Sequence, residues 1–268
     1  MARRCVLTIL LILIVESVCA QLRFAYYDVD RLYDTEPSLF YDDTEFTPEG
    51  RYKWNSTRYE RKVNQVVAVI DSLRCDAVAL YGVESEQVVR DIALRLKGDY
   101  TYLHRTINSF DGMDFALLYL ADRLEPLHAE AQRAALIIEA LIGRDTVNLV
   151  LCSDSRFADL HIEELIERHP ERGMLVAGKL YDLDATAYGL HDCLAAAARR
   201  GQGNRIYRGR WRMRDRIFTR PPLCGHEGAV VIRREWLDER TAEPLPTYRG
   251  NRYTKGVGAY LPIWCEIE

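Results

Sequence analysis

Short apolar runs of strand length alternate with segments of helical periodicity along nearly the whole chain. This alternation constrains the fold more than any other feature. Arg23–Tyr27 reads as a strand. Val63, Val66, Val67 and Ile70 recur at three- and four-residue spacing, which predicts a helix over 57–73 capped by Thr57. A short buried strand follows at 77–81, a helix at 85–96 with Val88, Val89 and Ile92 inward, and a strand at 115–119. Residues 136–142 and 147–152 read as a hairpin turning at Gly143-Arg144-Asp145. Then come a helix at 158–168, a strand at 174–177, a mostly helical stretch at 185–198, and strand regions near 207–218 and 261–267. Strand–helix alternation mixed with hairpins indicates an α/β sandwich of mixed sheets, with one domain covering 21–268.

Composition removes other classes. With 48% apolar and 28% charged residues, the 268-residue chain has a globular balance and is neither wholly disordered nor collagen-like. A formal net charge of -4 gives no overall basic footprint for nucleic acid. A mean hydropathy of -0.22 excludes a polytopic membrane protein. Arg3 and Arg4, the apolar run Val6–Val15 and the small residues before Gln21 predict a signal peptide over 1–20. The expected location is periplasmic or secreted, with no membrane span after cleavage; an uncleaved anchor is the alternative. Asn55-Ser56-Thr57 is a glycosylation sequon. Export permits disulfides, but Cys75, Cys152, Cys193, Cys224 and Cys265 are odd in number and show no zinc spacing. Cys152 and Cys265 sit in apolar runs, as small buried hydrophobes do.

Four segments in order carry a resemblance. Phe24-Ala25-Tyr26-Tyr27-Asp28-Val29-Asp30-Arg31-Leu32-Tyr33-Asp34 is similar to F-x-x-Y-N-V-E-N-L-F-D, and Glu45–Gly50 with Lys53-Trp54 to the loop after it. Gly112-Met113-Asp114-Phe115-Ala116-Leu117-Leu118-Tyr119 is similar to G-I-D-V-A-L-L-Y. Tyr207-Arg208-Gly209-Arg210-Trp211 with Asp215-Arg216-Ile217 is similar to Y-R-G-x-W-x-x-x-D-Q-I. The chain thus resembles the endonuclease/exonuclease/phosphatase superfamily, in its exported bacterial branch. The resemblance implies a four-layer α/β sandwich of two mixed β-sheets flanked by helices. It also implies metal-assisted phosphoester hydrolysis: a carboxylate for Mg²⁺, an Asp to orient water, and His groups for the phosphoryl oxygens.

The scaffold segments survive, but the positions of the chemistry do not. Asp28 replaces the opening Asn. Gly82 stands where the metal-binding Glu belongs, with Glu84 two residues on, about 7 Å along a strand. Cys152 replaces the first His of N-H-W-P, and Lys179 replaces the first Asp of G-D-F-N-D, whose last position is Asp182. Ala259 and Tyr260 replace the Asp and His of S-D-H-L-P. His104, His128, His161, His169, His191 and His226 are scattered and read as surface or loop residues. This pattern predicts a pseudoenzyme with no resident cofactor, acting by binding or as a structural protein. The alternative is a Mg-dependent phosphoric ester hydrolase with rearranged ligands: Asp28, Asp30 and Glu84 for the metal, joined by Asp182. In the pseudoenzyme, Lys179 is expected to pair with Asp28, Asp30 or Glu84, with Tyr260 packed nearby.

One feature is independent of the resemblance. Arg208, Arg210, Arg212, Arg214 and Arg216 alternate with other residues, and a strand would place all five on one face. From Arg199 to Arg220 nine arginines face a single acid, Asp215, so the row needs acidic partners or solvent. Three readings stay open: a surface for a polyanion or phosphate-containing ligand, internal pairing with the acidic stretch Asp28–Glu45, or a solvated strand face.

Overall fold

Phe24 and Tyr26 point to one side of the strand Leu22–Leu32 (β1), while Ala25, Tyr27 and Val29 point to the other, and all five are buried. A strand apolar on both faces belongs at the centre of a covered sheet, and β1 lies there. The computed structural model describes residues 21–107, 109 and 111–268; the segment read as a signal peptide lies outside them. After β1 come β2 (Ala77–Val83), β3 (Tyr100–Arg105), β4 (Asp114–Leu120), β5 (Glu125–Gln132), β6 (Ala135–Ile142), β7 (Asp145–Cys152) and β8 (Gly173–Gly178). The remaining strands are β9 (His191–Asp192), β10 (Arg205–Tyr207), β11 (Arg210–Arg212), β12 (Arg216–Arg220), β13 (Ala229–Val230), β14 (Tyr248–Arg249), β15 (Arg252–Tyr253) and β16 (Ile263–Ile267). The helices are α1 (Ser56–Leu73), α2 (Glu86–Ala93), α3 (Ser155–Arg168) and the short α4 (Ala195–Arg199).

Two six-stranded sheets carry the fold, in the orders β13-β16-β1-β2-β4-β3 and β5-β6-β7-β8-β12-β9. Each is mixed and holds one parallel pair, β1–β2 in the first and β7–β8 in the second. The inner faces meet in one core that joins Phe24, Tyr26 and Phe115 to Leu149, Leu175 and Ile217. Outside the first sheet, α1 and α2 cover a second core with Val63, Val66 and Val89. Outside the second, α3 covers a third with Ala158 and Ile162. The four layers are helix, sheet, sheet and helix, as the sequence indicates.

Three local expectations need correction. Asn55, not Thr57, caps α1, its Oδ1 accepting from Arg58 N at 3.1 Å. The stretch 185–198 is not mostly helical. A 3-10 turn at Ala185–Tyr188 closes at Gly189 (φ 64), β9 then pairs with β12, and only Ala195–Arg199 is α-helix. The edge strands β3 and β5 carry little apolar signal, because much of their surface is exposed.

Candidate functional site

The two parallel pairs bring their C-terminal ends together, and the site lies there. Asp28 pairs with Tyr81 just before a register shift between β1 and β2, and Cys152 pairs with Gly178 at the end of β7–β8. Gly178 has φ 141, and a Cβ there would stand 1.8 Å from Cys152 O, so only glycine allows the strands to close. The next residue, Lys179, donates its N–H to the same oxygen (3.0 Å). Its side chain crosses to the first sheet. There Nζ lies 2.9 Å from Asp28 Oδ2, 4.4 Å from the Tyr81 ring centroid and 5.2 Å from that of Tyr260. The expected ion pair is therefore with Asp28, with Tyr260 beside it.

Asp28 is only 4% exposed. Its Oδ1 accepts from Asp30 N (2.9 Å), and a Cβ on Gly82 would lie 3.3 Å from that same oxygen. Position 82 thus adjoins the carboxylate but offers it no ligand. Burial is the largest single influence on Lys179 and opposes its charge, yet Asp28, with Tyr260, Tyr81 and Asp215 adding to it, outweighs burial and holds the amine above the ordinary lysine range. Behind this pair lies Asp215, 1% exposed. Its Oδ2 accepts from Asn204 Nδ2 at 2.6 Å, while Oδ1 has no hydrogen-bond partner among the described residues. Burial pushes the Asp215 carboxyl up to about 7, and the charge of Asp28 adds to the shift. Tyr260 is buried, and its hydroxyl accepts from Arg205 Nη1. Ser153, Asp154, Ser155, Arg156, Lys179, Tyr181, Arg214 and Tyr260 line a pocket of about 240 Å³ at this point.

Mg²⁺ takes oxygen ligands and is held by one or two protein carboxylates, with waters and substrate oxygens completing its shell, so the engagement of each candidate carboxylate matters. Asp30 Oδ2 is held by Thr247 N at 2.9 Å. Both oxygens of Glu84 are engaged, one by Asp34 N and one by Tyr41 Oη, each at 2.5 Å. Asp182 is exposed on the far side of Lys179 in sequence. Among the described residues no group of three His, Cys, Asp or Glu side chains is placed to hold a metal. The carboxylates of the alternative set, Asp28, Asp30 and Glu84, are thus each engaged by other protein groups, and the cation beside Asp28 is the Lys179 ammonium.

Cys152 turns away from the pocket into the core beneath α3, and Ala259 is half-buried. The histidines also need correction. His128, His191 and His226 are exposed, but His161 is buried in α3 against Arg133 O (3.2 Å). His104 Nε2 lies 3.1 Å from Asp114 Oδ2 with little side-chain exposure. Sequence reasoning missed Asn204 and gave Asp215 no role in the site. The single acid in an arginine-rich run was the available signal for Asp215, whereas Asn204 left none.

The arginine row does not lie on one strand. Arg208 (φ 50) and Gly209 (φ 71) form a two-residue turn between β10 and β11, a hairpin with Tyr207 opposite Arg210 and Arg205 opposite Arg212. A second break follows at Arg214 and Asp215, whose N–H groups donate to Asn204 Oδ1 at 2.8 and 3.3 Å. The five arginines nevertheless line one open cleft of about 840 Å³, together with Tyr181, Tyr207 and Trp211. Arg208, Arg210 and Arg212 are exposed. The Arg214 guanidinium stacks 3.3 Å from the Tyr181 ring centroid and 5.5 Å from that of Tyr207. Among the described residues only Arg216 of the five makes an ion pair, with Asp192 at 2.9 Å. Pairing with the acidic stretch 28–45 is therefore not what balances the row.

Two facing mixed sheets, with a charged pocket where their parallel pairs end, define an α/β sandwich of the phosphoesterase type. A sequence profile described as "Endonuclease/Exonuclease/phosphatase family" matches residues 23–174, and the chain belongs to that family. A search of curated proteins finds no match. Among solved structures the chain is similar to an endonuclease/exonuclease/phosphatase from Bacteroides vulgatus (14% identity, TM-score 0.60), covering 92% of this chain and 98% of that one. It is also similar to D. rerio TDP2 humanized by 14 mutations (15% identity, TM-score 0.58, 93% and 99% covered). A third is a mannosyl-6-phosphatase of Bacteroides thetaiotaomicron (12% identity, TM-score 0.59, 92% and 99% covered). At these identities the likeness shows the fold.

Proposed function

We propose that this protein keeps the phosphoesterase scaffold but binds a phosphate-bearing ligand without hydrolysing it. The observation that carries this reading is the Lys179 ammonium 2.9 Å from Asp28 Oδ2. A fixed monovalent cation stands against the Asp28 carboxylate at the ends of the parallel strands. It supplies charge balance, yet it offers no open coordination position for a phosphoryl oxygen or an attacking water.

Recognition falls to the cleft beside the pocket. Guanidinium forks match phosphate oxygens in pairs, and Arg208, Arg210 and Arg212 are exposed without acidic partners among the described residues. Tyr181 and Tyr207, 43% and 44% exposed, offer ring faces to a flat group next to the phosphate. The names of similar structures share this chemistry: one is a mannosyl-6-phosphatase and one a D. rerio TDP2 complex with single strand DNA product. Export, read from residues 1–20, places the ligand outside the cytoplasm.

Incubation with a generic phosphodiester, a phosphomonoester and a single-stranded oligonucleotide, each with Mg²⁺ or Mn²⁺, tests the reading. The expected rate equals that of the buffer. Metal-dependent turnover that survives purification and disappears in Asp28→Ala overturns the proposal in favour of a hydrolase.

A further inference from the structure

Cys193 lies between β9 and α4 at the rim of the second sheet, and Cys265 lies in β16 of the first. They are 1% and 0% exposed and belong to the same inter-sheet core. Main-chain contacts fix both. Cys193 N donates to Ile217 O (3.0 Å), and Cys193 O accepts from Gly228 N (2.7 Å). Cys265 is held by the register of β16 on β1, opposite Phe24. Gly228 is wedged against both residues: a Cβ there would stand 3.1 Å from Cys265 Cβ and 3.4 Å from Cys193 O. Gly225 closes the other side, where a Cβ would lie 2.4 Å from Cys193 Sγ. Gly228 thus adjoins both cysteines.

The remaining cysteines sit elsewhere. Cys75 belongs to the core beneath α1, Cys152 to the core beneath α3, and Cys224 is exposed. Cys193 and Cys265 are free thiols that adjoin the same glycine and are held by two different sheets, so they are neighbours in one core, the first thing a disulfide requires.

We propose that Cys193 and Cys265 are a modification site, joined by a disulfide that bonds the two sheets covalently when the chain folds in the presence of a low-molecular-weight disulfide. Before β16 closes, the thiolate of one cysteine displaces a glutathione thiolate from glutathione disulfide and forms a mixed disulfide. As β16 docks, the thiolate of the other cysteine attacks the protein-side sulfur and expels the second glutathione. The protein loses two thiol protons and two electrons, and glutathione disulfide takes up both electrons as two thiols. Because both sulfurs are buried in the folded chain, the first exchange precedes the closure of β16.

Refolding the unsubstituted protein in a glutathione redox buffer, alkylating it, and mapping it by non-reducing peptide mass spectrometry tests this. The expected product is a peptide pair linked through Cys193 and Cys265. Dithiothreitol is expected to lower its Tm by about 5–10 °C. In Cys193→Ser the reductant has no such effect. Fully alkylated Cys193 and Cys265 in the refolded protein, or a link from either to Cys75, Cys152 or Cys224, overturns the proposal. The map reads the bond directly and does not depend on any variant folding.

Discussion

The small pocket and the large cleft share Tyr181 and Arg214, yet they treat charge in opposite ways. In the pocket Asp28 is buried and its cation comes from the opposite sheet at 2.9 Å. In the cleft four of the five arginines have no ion-pair partner among the described residues, and three are exposed. A buried charge must be matched inside the protein. A solvated charge need not be, and it stays free for a ligand. The pocket balances its charge from within the protein, while the cleft leaves its guanidinium groups to solvent.

Substitution at Lys179 breaks the comparison most strongly. Lys179→Ala leaves the Asp28 carboxylate buried without its cation, and the expected loss is roughly 3–5 kcal/mol in urea denaturation. An Asp28→Asn/Lys179→Met double variant, which removes both charges, is expected to recover most of it. Loss of less than about 1 kcal/mol in Lys179→Ala contradicts the structural role.

Two buried carboxyls outside the pocket's lining also set a pH dependence. Burial raises the Asp215 carboxyl from its ordinary range to about 7, and Glu84 likewise to about 7. Between about pH 4 and 7 the folded state therefore binds more protons than the unfolded one. Their contribution is fully present below pH 4 and is lost as the pH rises through 7. Asp215→Asn is expected to flatten this slope, by on the order of 2 kcal/mol between pH 5 and 8. An unchanged slope in denaturation midpoints counts against the shift.

The cleft gives a binding effect with little change in stability. Arg210→Ser/Arg212→Ser is expected to weaken binding of a single-stranded oligonucleotide about tenfold in 50 mM salt, and to lower the salt slope by about 1.4. Denaturation should shift by less than about 0.5 kcal/mol, because both side chains are exposed. Equal binding before and after, by fluorescence anisotropy, removes the cleft from the proposal.

The smallest effect concerns a cation buried elsewhere. Lys62 is fully buried, donating from Nζ to Thr247 Oγ1 (2.8 Å) and Val257 O (2.7 Å). Burial lowers its amine to about 8. Above pH 8 the folded state sheds this proton before the unfolded one does, so stability rises with pH toward the ordinary lysine range. Lys62→Met is expected to remove a rise of about 1 kcal/mol between pH 8 and 9.

What the sequence discloses follows from how each signal arises. Strands buried on both faces, such as β1 and β7, are continuous apolar runs and can be read directly. The charge reversal at Lys179 is equally legible, because one residue departs from a fixed motif. Alternation alone misleads at residues 208–216, where a strand and a hairpin share the same period of two. Only the Arg208-Gly209 turn and the Asn204 side chain decide between them. Asn204 contacts Arg214, Asp215 and Leu261, 10, 11 and 57 residues away, and nothing in its neighbours announces this. His161 is hidden for the same reason: burial in α3 is a tertiary property.

The position of β1 has a kinetic consequence. Leu22 pairs with Ile267 and Tyr26 with Ile263, so the strand formed first in the chain gains one of its two neighbours only from the last few residues. The parallel partner β2 arrives more than fifty residues after β1 begins. Contacts of such long sequence separation slow folding, because chain closure must precede the interactions that reward it. During synthesis the edge of β1 that awaits β16 stays open until Ile263–Ile267 has been made, and an open strand edge is a template for pairing with another chain.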